Sequence, residues 1–135
     1  MSEKIHLKII THEKIIYENN IDELYVQTTD GRMGILKNHI PIICALSIGV
    51  TKIVNNNKSE CISTMGGILQ FTHNHATILT DVAELECDID VARAKNAKER
   101  AEARLKAQEE NLDMARAQIA LAKSIARISV KEKRF

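Results

Sequence analysis

Histidine and cysteine are the residues with which this chain could do chemistry, and their spacing decides how much. Histidines stand at positions 6, 12, 39, 73 and 75, and cysteines at 44, 61 and 87. His73 and His75 are two apart, a spacing that would put both on one face of a strand. Asn74 between them reads as a turn, and no acid or thiol around them completes a metal-ligand pattern, so both are expected to face solvent. Cys44 lies in an apolar stretch and Cys61 in an expected strand, where a thiol usually packs inertly. His39 sits between a turn and Pro41, the sole proline, and nothing near it in sequence supplies a partner for proton transfer. A structural hydrogen bond is its expected role. The chain on its own is not expected to be an enzyme, and no metal or required cofactor is expected.

A second chemistry is charge. The formal net charge of +1 hides a division, because acids outnumber Lys and Arg up to Asp88 and bases outnumber acids from Ile89 onward. After Asp113 the only acid is Glu132, against Arg116, Lys123, Arg127, Lys131, Lys133 and Arg134. Such a basic helix suits an acidic partner surface, or is simply a solvated face. Aromatic residues are scarce, with only Phe135 beside these bases and none interleaved between them to stack on nucleobases, which argues against nucleic acid.

The elements that would carry these residues follow from hydrophobic period. Residues 89–135 contain no Gly or Pro and are rich in Ala, Lys, Arg and Glu, a helical composition. Glu-Glu-Asn-Leu-Asp at 109–113 breaks the pattern, and Asp113 could cap a second helix, so an antiparallel hairpin is expected. Its apolar stripes, Ala94, Ala97, Ala101 and Leu105 on one helix and Met114, Ala117, Leu121, Ile125 and Ile128 on the other, are built largely of small side chains. Apolar burial stabilises by about 25 cal/mol per Å², so an alanine seam holds weakly.

Upstream the period is two. Residues 4–10, 14–17, 23–28, 42–46, 50–54, 60–64, 68–71 and 76–79 read as short strands of an antiparallel sandwich or barrel, with a turn at 55–58 and a bend at Gly66-Gly67. The stretch 30–41 is expected to be a shaped surface loop, and it lacks the Gly-Lys-Ser/Thr ending of a phosphate loop. The fold class is therefore an all-β N-terminal sandwich at 1–87 followed by an α-helical antiparallel hairpin at 88–135. Three widely spaced cysteines suit a reducing compartment, and no stretch approaches the ~18 apolar residues of a membrane span, so direct membrane insertion is not expected.

Four landmarks occur in one order: the sandwich pattern, GRMGIL followed by HIP at 31–41, Gly66-Gly67 before Ile-Leu, and a basic helical hairpin opening with Ile-Asp-Val-Ala-Arg-Ala at 89–94. Over essentially its full length the chain resembles the epsilon subunit of bacterial F-type ATP synthases. The resemblance implies a non-catalytic central-stalk subunit, peripheral at the cytoplasmic face of the cell membrane, that helps couple proton translocation to ATP synthesis. It implies contact with the gamma subunit and the c-ring through Gly31, Arg32, Met33, Gly34 and His39. It also implies a hairpin that lies on the sandwich or extends into the catalytic head, where its basic face meets an acidic segment of a beta subunit and restrains ATP hydrolysis.

The same resemblance implies a regulatory ATP site. The signature at 89–94 is similar to one that helps bind ATP in some bacterial members, with Ile89, Asp90, Arg93 and Ala94 in it and Glu84 just upstream. Arg127 falls where the family presents a phosphate-binding Arg. Lys123 replaces an Arg and keeps the charge while losing the bidentate fork. Read from the residues alone, Asp90 would cap the first helix and Arg93 would be surface charge. Two further departures are Thr-His-Glu-Lys at 11–14, and Arg32 where an acid is common. The rival function is a stand-alone ATP-sensing module that never joins a synthase.

Overall fold

The computed structural model describes residues 4–107 and 114–132. Eight strands precede two helices: β1 (Ile5–Ile10), β2 (Ile15–Ile21), β3 (Glu23–Thr28), β4 (Gly31–Leu36), β5 (Ile42–Asn55), β6 (Lys58–Thr72), β7 (His75–Leu79), β8 (Ala83–Leu85), a short 3-10 turn (Glu86–Asp88), α1 (Val91–Ala107) and α2 (Met114–Glu132). The strand order is β2-β1-β7-β6-β5-β3-β4, and β8 also pairs with β6. All pairings are antiparallel except β1 with β7. Alternation made β1 legible: Ile5, Leu7 and Ile9 are fully buried while His6 and Lys8 face outward. With Leu24, Val26, Ile35, Ile53, Ile62, Leu69, Phe71 and Ile78 they fill the sandwich core.

Several expectations need correction. The stretch expected to be a loop contains strand β4, whose residues 31–36 pair with β3 from Thr28↔Gly31 to Glu23↔Leu36. Its two glycines hid the alternation: a Cβ at Gly34 would meet the Tyr25 ring, so the position is needed for cross-strand fit. The segments 42–46 and 50–54 are one strand, as are 60–64 and 68–71. Gly66 and Gly67 lie inside β6 at φ +79° and +120°, and a Cβ at Gly67 would run into the Leu79 carbonyl oxygen. Across this pair the inward positions change parity, from Ile62 before it to Leu69 and Phe71 after it. One strand thereby serves two stretches of the core.

The outer face of the β5–β6 hairpin carries the helices. α2 packs on β5 and β6, and α1 packs on α2. Ile89, in the joint just before α1, closes a small apolar cluster with Val50, Cys61 and Val130. Burial there pushes the Cys61 thiol up to about 11. The residues that α2 buries are Ala117, Ser124, Ala126 and Val130, while Met114 and Ile125 of the expected stripe are 40% and 45% exposed. Small side chains occupy the closest approach, because α2 must meet α1 and the sheet at once. On α1 the buried positions are Ala94 and Ala101, both in the expected seam. Asp113, Lys133 and Arg134 lie outside the described residues.

Candidate functional site

A cleft of about 300 Å³ opens where β8, the 3-10 turn, α1 and α2 meet. β8 brings Glu84, the turn brings Asp88, the start of α1 brings Asp90, Arg93, Ala94, Ala97 and Arg100, and α2 brings Arg127. Asp90 is the N-cap of α1: its Oδ1 accepts the Arg93 N–H at 3.1 Å and its carbonyl accepts the Ala94 N–H at 3.0 Å. Capping sends the Arg93 side chain outward from the first turn, to the lip of the cleft. Across it, Arg127 Nε donates to Glu84 Oε1 at 2.6 Å, with side-chain exposures of 30% and 23%. This charge-assisted bond fastens α2 to the sheet through a strand that also pairs with β6. Three guanidiniums thus face three carboxylates around an open space lined at one side by Ala94 and Ala97, which suits a ligand with an anionic group and a flat, weakly polar body.

Of the residues expected to hold ATP, Glu84, Asp90, Arg93, Ala94 and Arg127 line this cleft. Ile89 is 5% exposed and packs in the Val50–Cys61–Val130 cluster instead, and half-buried Lys123 does not line the cleft. Asp88 and Arg100 do line it and were not singled out from sequence. Arg93, Ala97 and Arg100 recur at i, i+4 and i+7, a helical face that could have shown Arg100.

The expected contact residues do not form one patch. Gly31 opens β4 beside the β3–β4 turn, and Arg32 donates from Nη1 to the Val50 carbonyl at 3.2 Å, on β5. Met33 packs against the sandwich core. His39 lies beyond the other end of the strand, with its ring edge-on to Phe71 at 5.8 Å and its Nδ1 2.7 Å from the Ile40 carbonyl. Of the basic residues on α2, Arg127 and Lys131 are fastened to the sandwich, the latter donating from Nζ to the Glu86 carbonyl at 3.1 Å. Arg116 is exposed.

Sequence reasoning missed an apolar surface. Ile43, Ile68 and Leu79 are 72%, 49% and 50% exposed, and the register Ala45↔Ile68↔Leu79 sets them on neighbouring strands. Ile40 beyond them is 73% exposed. A row of this kind marks an interaction surface. The apolar run Ile40-Pro41-Ile42-Ile43 was its available signal. Among the described residues no group of three His, Cys, Asp or Glu could hold a metal ion, and no helix is long and apolar enough to cross a membrane.

Comparison with known proteins agrees with this architecture. Residues 4–86 match the family model described as ATP synthase, Delta/Epsilon chain, beta-sandwich domain, and residues 88–132 match ATP synthase, Delta/Epsilon chain, long alpha-helix domain. The chain is 37% identical over 127 residues to the ATP synthase epsilon chain of Halalkalibacterium halodurans, covering 93% of this chain and 96% of that one. It is 42% identical over 128 residues to that of Pediococcus pentosaceus, covering 92% of each. Among solved structures, a chain of the Euglena gracilis mitochondrial ATP synthase superposes with a TM-score of 0.81 at 21% identity, covering 93% of this chain and 80% of that one. At that identity the likeness is one of fold.

Proposed function

We propose a role that follows from one fact: the chain belongs to the ATP synthase delta/epsilon family. In that role it is a central-stalk subunit without a catalytic site of its own, held at the cytoplasmic face of the membrane by partners, gamma and the c-ring. The exposed row Ile43–Ile68–Leu79 is the apolar surface offered to gamma, and the Gly31 end of β4 is offered to the c-ring. The C-terminal hairpin restrains ATP hydrolysis by leaving the sandwich and presenting its basic face to an acidic segment of a beta subunit.

The observation that carries the regulatory reading is how α2 is seated. Of its described buried residues only Val130 is larger than alanine or serine, and its polar fastenings to the sandwich include the Glu84–Arg127 and Lys131–Glu86 bonds. A bistable element needs states separated by only a few kcal/mol, and a seam of small buried residues held by part-exposed polar bonds is of that kind. ATP in the cleft would hold the docked state, with Arg93 and Arg127 toward phosphate and Ala94 leaving room for the base. That ligand is regulatory and no hydrolysis is assigned to it.

The test is removal of residues 89–135 from the assembled synthase. Assembly should survive and ATP hydrolysis should rise; hydrolysis unchanged at all ATP concentrations would exclude a braking hairpin. For the ligand, calorimetry with ATP should give binding that Arg93→Ala abolishes, whereas no heat up to about millimolar ATP in the wild type would leave the cleft a purely structural joint.

A further inference from the structure

A buried polar group stands beside the cleft without a partner. Ser63 is fully buried, and its hydroxyl is the one buried side-chain polar atom among the described residues that meets no hydrogen-bond partner. The register Ser63↔Glu84 joins it across β6 and β8 to a residue that lines the cleft. Residues paired across antiparallel strands point to the same face, with Cβ atoms about 4.5–5.5 Å apart. Ile62, the neighbour of Ser63, lies in the sandwich core, so Ser63 and Glu84 share the outer face, on which α2 packs. Native proteins rarely leave such a hydroxyl orphaned, and one that stays so beside a ligand cleft asks for an occasion on which it is satisfied.

Glu84 supplies the occasion. With the cleft empty, its Oε1 accepts from Arg127 Nε at 2.6 Å. Arg93 and Arg100 line the same space, so an anionic group that enters meets three guanidiniums, one of which already holds a carboxylate. If Arg127 turns to the ligand, Glu84 is left partly buried with its charge uncompensated, and stranding such a group costs more than the broken bond was worth. The other residues at the cleft are Asp88, Asp90, Ala94 and Ala97, and none of them has a side-chain donor to offer in place of Arg127. The Ser63 hydroxyl is a donor directly across the strand pair, free of any other bond, and its hydrogen rotates to suit.

We propose that Ser63 is a positioning residue for the ligand of this cleft: when a phosphate-bearing ligand draws Arg127 away from Glu84, the Ser63 hydroxyl donates to the released carboxylate. Ser63 itself does not line the cleft and touches no ligand. It acts through Glu84, holding one carboxylate oxygen against β6 while the other stays turned to the open space. The exchange satisfies a hydroxyl that the empty state leaves orphaned, so the bound state gains a hydrogen bond that the empty state lacks. The inference rests on the ATP reading above and adds what compensates Glu84 when Arg127 leaves it.

The experiment is calorimetry with ATP on the full chain, wild type against Ser63→Ala, together with hydrogen exchange of the α2 amides in the absence of ATP. Ser63→Ala should bind ATP about tenfold more weakly, the loss of one hydrogen bond to a charged group, while its α2 amides exchange no faster than those of the wild type. The sign separates two roles. A hydroxyl that only burdened the docked state would, on removal, leave ATP binding unchanged or tighter. Binding by Ser63→Ala as tight as that of the wild type, or tighter, therefore overturns the inference and leaves the ATP cleft standing. Weaker binding with faster α2 exchange also overturns it, because the variant has then loosened the helix that carries Arg127. Absence of ATP binding by the wild type removes both the inference and the reading it rests on.

Discussion

Ser63 offers the sharpest test of the seating of α2. It lies on β6 opposite Val50 and Glu84, on the outer face that α2 covers, and it is fully buried with no hydrogen-bond partner for its hydroxyl. Leaving a buried hydroxyl unsatisfied costs about 1–3 kcal/mol. Water would hydrate the hydroxyl once α2 lifted away, so the cost falls on the docked state alone. Ser63→Ala removes the hydroxyl with almost no change of volume and should therefore favour docking. A shift of about 1–2 kcal/mol lowers the undocked fraction roughly 5–30-fold. Hydrogen exchange of α2 amides in the isolated chain reads this directly: exchange should slow by that factor in the variant while β1 and β7 amides stay unchanged. Thr64→Val is the contrast, because the Thr64 hydroxyl is bonded to Thr51 Oγ1 at 3.0 Å, toward the sandwich core. It should destabilise the sandwich as a whole. If α2 exchanges as fast or faster in Ser63→Ala, the docked helix is not limited by that orphaned hydroxyl and the reasoning fails.

Val130→Ala, at a fully buried position in the cluster with Cys61, should cost about 1–3 kcal/mol of docking and speed Cys61 labelling by a thiol reagent; unchanged labelling would mean the helix does not shield that thiol. Glu84→Gln should free Arg127 and raise α2 exchange most around residue 127, and an unaltered exchange profile would show the 2.6 Å bond to be idle. The folded pKa of His6 is raised, so its bonds to Asn20 and Glu18 stabilise fully below the unfolded value of about 6.5, and that stability is lost as pH rises through the folded pKa. Glu18 is shifted down by the same contact, so its share is lost as pH falls through its own folded pKa. The melting temperature should accordingly fall as pH rises through the raised folded pKa of His6, and a His6→Gln chain that kept the identical pH profile would contradict the assignment. Gly67→Ala should disrupt β6 against β7, read as lost sandwich stability, since the new Cβ meets the Leu79 carbonyl.

Strands whose side chains alternate cleanly were legible in the sequence, and β1 is the clearest. β4 was not, because Gly31 and Gly34 remove the very side chains whose alternation would reveal it. β6 was divided in two because Gly66-Gly67 resembles a turn, whereas here two left-handed residues shift parity within one strand. The helical hairpin followed from composition, but of the expected α2 stripe only Ala117 is buried, with Leu121 and Ile128 half-buried and Met114 and Ile125 exposed. A helix pressed on two sides buries small residues at its closest approach, so Ser124 and Ala126 are buried beside Val130 while Ile125 is left half-exposed. Much of the cleft was legible through the 89–94 signature and Glu84. Ile89 packs in the joint and does not line the cleft, and an apolar residue within a signature has the same appearance whether it touches a ligand or anchors a joint.

The Ile89 cluster has a topological outcome. Ile89 precedes α1 and Val130 is near the far end of α2, yet both meet Val50 and Cys61, so the helical arm leaves the sandwich and returns to it at one spot. An arm hinged and clasped at the same place is a closed loop whose clasp needs only a few side chains to part. If the arm undocks as proposed, its covalent hinge would hold the freed end at high local concentration near its own socket, and refastening would be a first-order event whose rate does not depend on how much protein is present.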